Sequence, residues 1–100
     1  MKDSNLTIEK CLRNAFLKAN KSLAESKIDT NMSGTTAVVV LLAENKIYCA
    51  NVGDSRALLV KNNGGDWDCN PLSEDHKPEL EKEKNRIMEY GGVVEQSNGI

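Results

Sequence analysis

The chain has 100 residues, 39% hydrophobic and 28% charged, which excludes a disordered segment and suits one small domain or part of a larger one. Its formal net charge of -2 gives no electrostatic case for nucleic acid or for an anionic membrane as partner. No apolar run approaches the roughly 20 residues of a membrane span, and the start, "MKDSNLTIEK", lacks a signal peptide's apolar centre, so an intracellular protein, cytoplasmic or nuclear, is expected.

In chain order, Leu6, Leu12, Phe16, Ala19 and Leu23 recur at roughly helical spacing, and Cys11, Ala15 and Ala24 widen the stripe. The pattern predicts an amphipathic helix over residues 6–27, with Ser4 and Asn5 as candidate N-caps. "SKIDTNMSG" supplies loop chemistry, and Ser33-Gly34-Thr35-Thr36 lacks the lysine and glycine spacing of a P-loop, so it is read as feeding the next strand. "TTAVVVLLA", residues 35–43, does not alternate; a run apolar on both faces predicts a strand covered on both sides.

Glu44-Asn45-Lys46 reads as a tight turn and "IYCANV" as the returning strand. After Gly53-Asp54, "SRALLV" predicts a third strand, Asn63-Gly64 signals a hairpin turn, and a fourth strand runs from Trp67 to Leu72. Residues 35–72 are thus read as a β-meander, with Trp67 as a sheet-packing aromatic.

Pro78 suits a first helical position, the segment "ELEKEKNR" reads as a solvated helix face, and Gly91-Gly92 stops the helix. Glu79 with Lys82, Glu81 with Lys84 and Glu83 with Arg86 have the spacing of surface ion pairs. "VVEQ" is expected to begin another strand. Cys11, Cys49 and Cys69 form no CxxC pair, which argues for reduced thiols rather than zinc or redox chemistry.

The order is helix, strands, helix, strand, an α+β layout with mainly antiparallel pairing. Burying a Val or Leu contributes about 1.5–3 kcal/mol, whereas a whole domain's net stability is about 5–15 kcal/mol. Residues 38–42 therefore need two covering layers, and the second helix is too polar to be one. The expectation is one part of a larger sandwich, whose apolar faces make self-association of the isolated chain possible.

The segments "SGTTAVVVLL", "ANVGDSRALLV", "LSEDHKP" and "EKNRIMEYGGVV", followed by "NG", fall in one order that resembles the metal-dependent protein serine/threonine phosphatases of the PPM (type 2C) family. The resemblance covers about residues 6–100 and implies an αββα sandwich, two antiparallel sheets flanked by helices. It implies an enzyme that removes phosphate from phosphoserine and phosphothreonine in phosphoprotein substrates. In that family Mg²⁺ or Mn²⁺ ions activate water and neutralise phosphate charge.

On this resemblance Asp54 matches the GDSR aspartate, a ligand of an additional, weaker metal. Arg56 is a structural residue, and residues 78–99 begin a flap beside the cleft. The family's DGHGG motif and late DG and DN motifs are absent, so no catalytic residue is assigned and the chain alone is expected to be inactive. His76 is read as structural or capping. The alternative reading is a pseudophosphatase or scaffold module that keeps the fold without catalysis.

Overall fold

The computed structural model describes residues 6–97. Helix α1, Ile8–Ala24, starts at Thr7, whose hydroxyl accepts the Lys10 backbone N–H at 3.2 Å. Thr7 takes the capping role expected of Ser4 or Asn5, which lie outside the described residues. Ile8, Leu12 and Phe16, four residues apart, are the half-buried positions of this helix.

Strands β1, Ala37–Ala43, and β2, Lys46–Val52, form an antiparallel hairpin in which Val39 faces Ala50 and Val40 faces Cys49. They are joined by Glu44 and Asn45, both at positive φ (54° and 59°), the handedness that matches strand twist in a two-residue loop. Strands β3, Leu58–Asn63, and β4, Asp66–Pro71, form a second hairpin. Its turn is Gly64-Gly65 (φ 64° and 105°), one residue later than Asn63-Gly64, because Asn63 is used in the ladder opposite Asp66.

The expected meander is instead two separate two-stranded sheets, β1-β2 and β3-β4. The physical cause lies at residues 53–57, whose polar groups bond to Thr36, Leu72, Ser73, Asp75 and His76 and so form no ladder with β2. "SRALLV" accordingly enters its strand only at Leu58.

Helix α2, Glu81–Glu89, begins later than Pro78, which instead sits inside a turn closed by the Leu80 N–H donating to the Lys77 carbonyl at 3.0 Å. The expected glycine stop is present. Gly91 has φ 85°, its N–H donates to the Met88 carbonyl, and the Gly92 N–H donates to the Ile87 carbonyl, a Schellman ending. Of the expected ion pairs, Glu83 with Arg86 forms, while Lys82 reaches Glu74 at 3.5 Å instead of Glu79. Residues 93–97 are not a strand, since among the described residues no strand lies beside them to complete a ladder.

Among the described residues no hydrophobic side chain is buried. Leu42 and Ile47, opposite one another on one sheet face, are 74% and 45% exposed, and on the other face Val39 and Val52 are 42% and 48% exposed. Trp67, expected to pack on a sheet, is 68% exposed because among the described residues no layer covers its hairpin. The radius of gyration is 17.3 Å, against about 13 Å for a compact domain of this length. These residues build sheets and helices but no closed core.

Candidate functional site

The bend between the two hairpins carries Asp54, and its neighbours are held on both sides. Gly53 is fixed twice by His76, whose N–H donates to the Gly53 carbonyl at 2.9 Å and whose Nδ1 accepts the Gly53 N–H at 3.3 Å. This places the ring proton of neutral His76 on Nε2. The Asn51 amide nitrogen donates both to the Gly53 carbonyl (3.2 Å) and to the Glu74 carbonyl (3.0 Å). That leaves Asn51 Oδ1 buried with no hydrogen-bond partner among the described residues, a cost of about 1–3 kcal/mol set against one bond to the bend at Gly53 and one that joins β2 to residue 74.

Beyond Asp54, the Ser55 and Thr36 hydroxyls share a 2.7 Å hydrogen bond. Arg56 clasps Asp75 with a two-pronged fork, Nε to Oδ1 at 2.8 Å and Nη2 to Oδ2 at 2.7 Å. The Arg56 hydrogen bond holds the Asp75 carboxyl below its usual range, and the same bond raises the Arg56 guanidinium. The Ala57 N–H donates to the Ser73 hydroxyl at 3.0 Å, and the Leu72 N–H donates to the Ala57 carbonyl at 2.8 Å.

Gly53 is required by shape as well as by hydrogen bonding. Its φ is 105°, and a Cβ there would lie 2.5 Å from Thr36 Cγ2. The segment read as feeding β1 thus packs under the bend through Thr36.

Asp54 itself is exposed, and among the described residues its carboxylate makes no hydrogen bond or ion pair. A carboxylate oxygen donor on a braced backbone fits a hard cation such as Mg²⁺ or Mn²⁺ as one ligand. It is not a whole site: among the described residues no group of three or more Asp, Glu, His or Cys is placed to hold an ion.

His76 and Arg56, read as structural, are both part of the bracing. Asn51, Thr36 and Ser73 were missed as parts of it. Asn51 carried a signal, a lone amide within the otherwise apolar "IYCANV", whereas Ser73 had none. Cys11, Cys49 and Cys69 are free thiols and take no part.

Next to the bend, Leu12, Phe16 and residues 47–52 line a cleft of about 630 Å³ between α1 and β2, with His76 at its side. No helix among the described residues is long and apolar enough to cross a membrane.

Comparison with known proteins gives this arrangement a family. Residues 1–100 match the family described as Protein phosphatase 2C, and the chain belongs to it. It is similar to "Protein phosphatase 2C homolog 3" of Schizosaccharomyces pombe, 48% identical over 85 residues that cover 84% of this chain and 20% of that protein. It is also similar to "Protein phosphatase 2C homolog 2" of Hypocrea jecorina, 47% identical over 84% of this chain and 18% of that protein. A third relative is "Probable protein phosphatase 2C 35" of Arabidopsis thaliana, 44% identical over 86% of this chain and 25% of that protein. The chain therefore spans between 18% and 25% of these relatives' lengths. No solved structure matches.

Proposed function

We propose that the protein containing this chain hydrolyses phosphoserine and phosphothreonine in intracellular phosphoproteins with the help of Mg²⁺ or Mn²⁺, and that Asp54 contributes one metal ligand. The observation that carries the proposal is the Asp54 carboxylate, without a partner among the described residues on a bend braced from both sides. A bound divalent cation supplies water activation and charge neutralisation at the phosphate. This chain's residues supply orientation: Gly53 and Ser55 fix the backbone, and Arg56 is committed to Asp75 rather than to substrate.

Phosphate monoester hydrolysis requires accelerations up to about 10²¹, which a single carboxylate cannot provide. The test uses the full-length protein on a phosphothreonine peptide. Phosphate release is expected with Mn²⁺, lost on chelation, reduced by Asp54→Ala, and absent for residues 1–100 alone. Full-length protein with no turnover at any metal concentration would establish the scaffold reading instead.

A further inference from the structure

We propose that the strap of residues 72–76, acting through His76 and Asp75, is a positioning device for Asp54, so that the flap side of the molecule sets how tightly the Asp54 cation is held. The proposal rests on the reading of Asp54 as a metal ligand.

The strap and the bend are tied at both ends. At the near end, His76 bonds the N–H and the carbonyl of Gly53, the residue directly before Asp54. At the far end, Asp75 forks Arg56, Ser73 takes the Ala57 N–H, and the Leu72 N–H reaches Ala57. Asn51 fastens the strap's Glu74 carbonyl and Gly53 with one amide group. Asp54 is the residue spanned by these ties and is itself unbonded among the described residues, so its neighbours set where its backbone and Cβ sit, and with them the reach of its carboxylate.

The other tie on this bend, the Thr36 hydroxyl on Ser55, comes from the entry to β1. The strap leads through the turn at Pro78 directly into α2, with Lys82 of that helix reaching back to Glu74. A displacement of α2 is therefore transmitted to Asp54 through hydrogen bonds of main chain and imidazole, with no need for a side chain of α2 to touch the metal. His76 and Asp75 are positioning residues; neither is read as a ligand.

The experiment is Mn²⁺ titration calorimetry on the full-length protein, with amide hydrogen exchange at residues 53–55 as a second readout. His76→Ala removes the Nδ1 acceptor but keeps the backbone bond. It is expected to weaken the Asp54-dependent binding about 3- to 10-fold, the loss of roughly one hydrogen bond, and to speed exchange at Gly53. His76→Asn, whose amide oxygen supplies an acceptor near the Nδ1 position, is expected to restore both. Asp75→Asn keeps the shape, weakens the Arg56 fork, and is expected to shift Mn²⁺ affinity in the same direction.

Asp54→Ala that binds Mn²⁺ like the wild type overturns the ligand reading and the proposal with it. Asp54→Ala that weakens binding while His76→Ala and Asp75→Asn bind normally overturns the strap alone. Should those two variants not fold, exchange in the wild type decides. Mn²⁺ that slows exchange at 53–55 and also at 72–76 supports the strap, and slowing confined to 53–55 overturns it.

Discussion

Gly53 combines two demands that usually occur apart. Its φ of 105° belongs to a region that L side chains avoid, and the space a Cβ would occupy is taken by Thr36. Gly53→Ala in the full-length protein is expected to cost about 1–3 kcal/mol, read as a lowered denaturation midpoint with an unchanged m-value. Asp75 makes a different prediction. Its side chain is only 13% exposed, and its carboxyl is held below the ordinary value chiefly by the Arg56 hydrogen bond. A carboxylate with a depressed native pKa contributes stability that is fully present above its unfolded pKa and is lost as pH falls through the native one. The stability difference between wild type and Asp75→Asn should therefore be constant at neutral pH and shrink only in acid, below the ordinary carboxylate range. A difference that changes between pH 6 and 8 would implicate another group.

At the scale of elements, each turn records a compromise between backbone handedness and residue type. The β3-β4 turn meets its positive φ values with Gly64-Gly65, while the β1-β2 turn meets the same demand with Glu44 and Asn45. A left-handed conformation costs a side chain with a Cβ roughly 1–2 kcal/mol, less for Asn than for Glu. Replacing Glu44-Asn45 by Asn-Gly, the preferred pair for such turns, is expected to stabilise the protein by about 1 kcal/mol, measured by chemical denaturation.

These elements were largely legible in the sequence, because periodicity and turn residues are local signals. The "VVVLL" run, the Gly91-Gly92 stop and the stripe through Leu12 and Phe16 all reappear as β1, the end of α2 and the inner side of α1. What was not legible depends on partners distant in sequence. Pro78 has the chemistry of a first helical residue, but Lys77 and Leu80 close a turn around it. "SRALLV" has strand composition throughout, yet Ser55 and Arg56 are diverted to Thr36 and Asp75. The motif singles out Asp54, whereas the bracing by Asn51, Thr36 and Ser73 depends on residues that only the fold brings together.

Over the whole molecule, the β1-β2 hairpin makes the physical problem plain. Its two faces are both apolar, and both remain open among the described residues: Val40, Leu42 and Ile47 on one, Val39, Leu41 and Val52 on the other. Apolar surface in water associates whenever a complementary surface is available, and the free edges of a two-stranded sheet offer main-chain pairing as well. Residues 1–100 prepared alone are therefore expected to self-associate, with an average mass by light scattering that rises with concentration. Leu42 and Ile47 are directly opposed across the strands and so share a face. Placing a lysine at each, Leu42→Lys with Ile47→Lys, puts two like charges side by side and should return the chain toward monomer. In the full-length protein the same pair of substitutions should instead lower stability, because there the face is expected to be buried and two lysines would have to lose their hydration. The same substitutions thus act in opposite senses on the isolated chain's association and on the full-length protein's folding. A full-length protein whose melting is insensitive to them would show that this face of the hairpin is never covered.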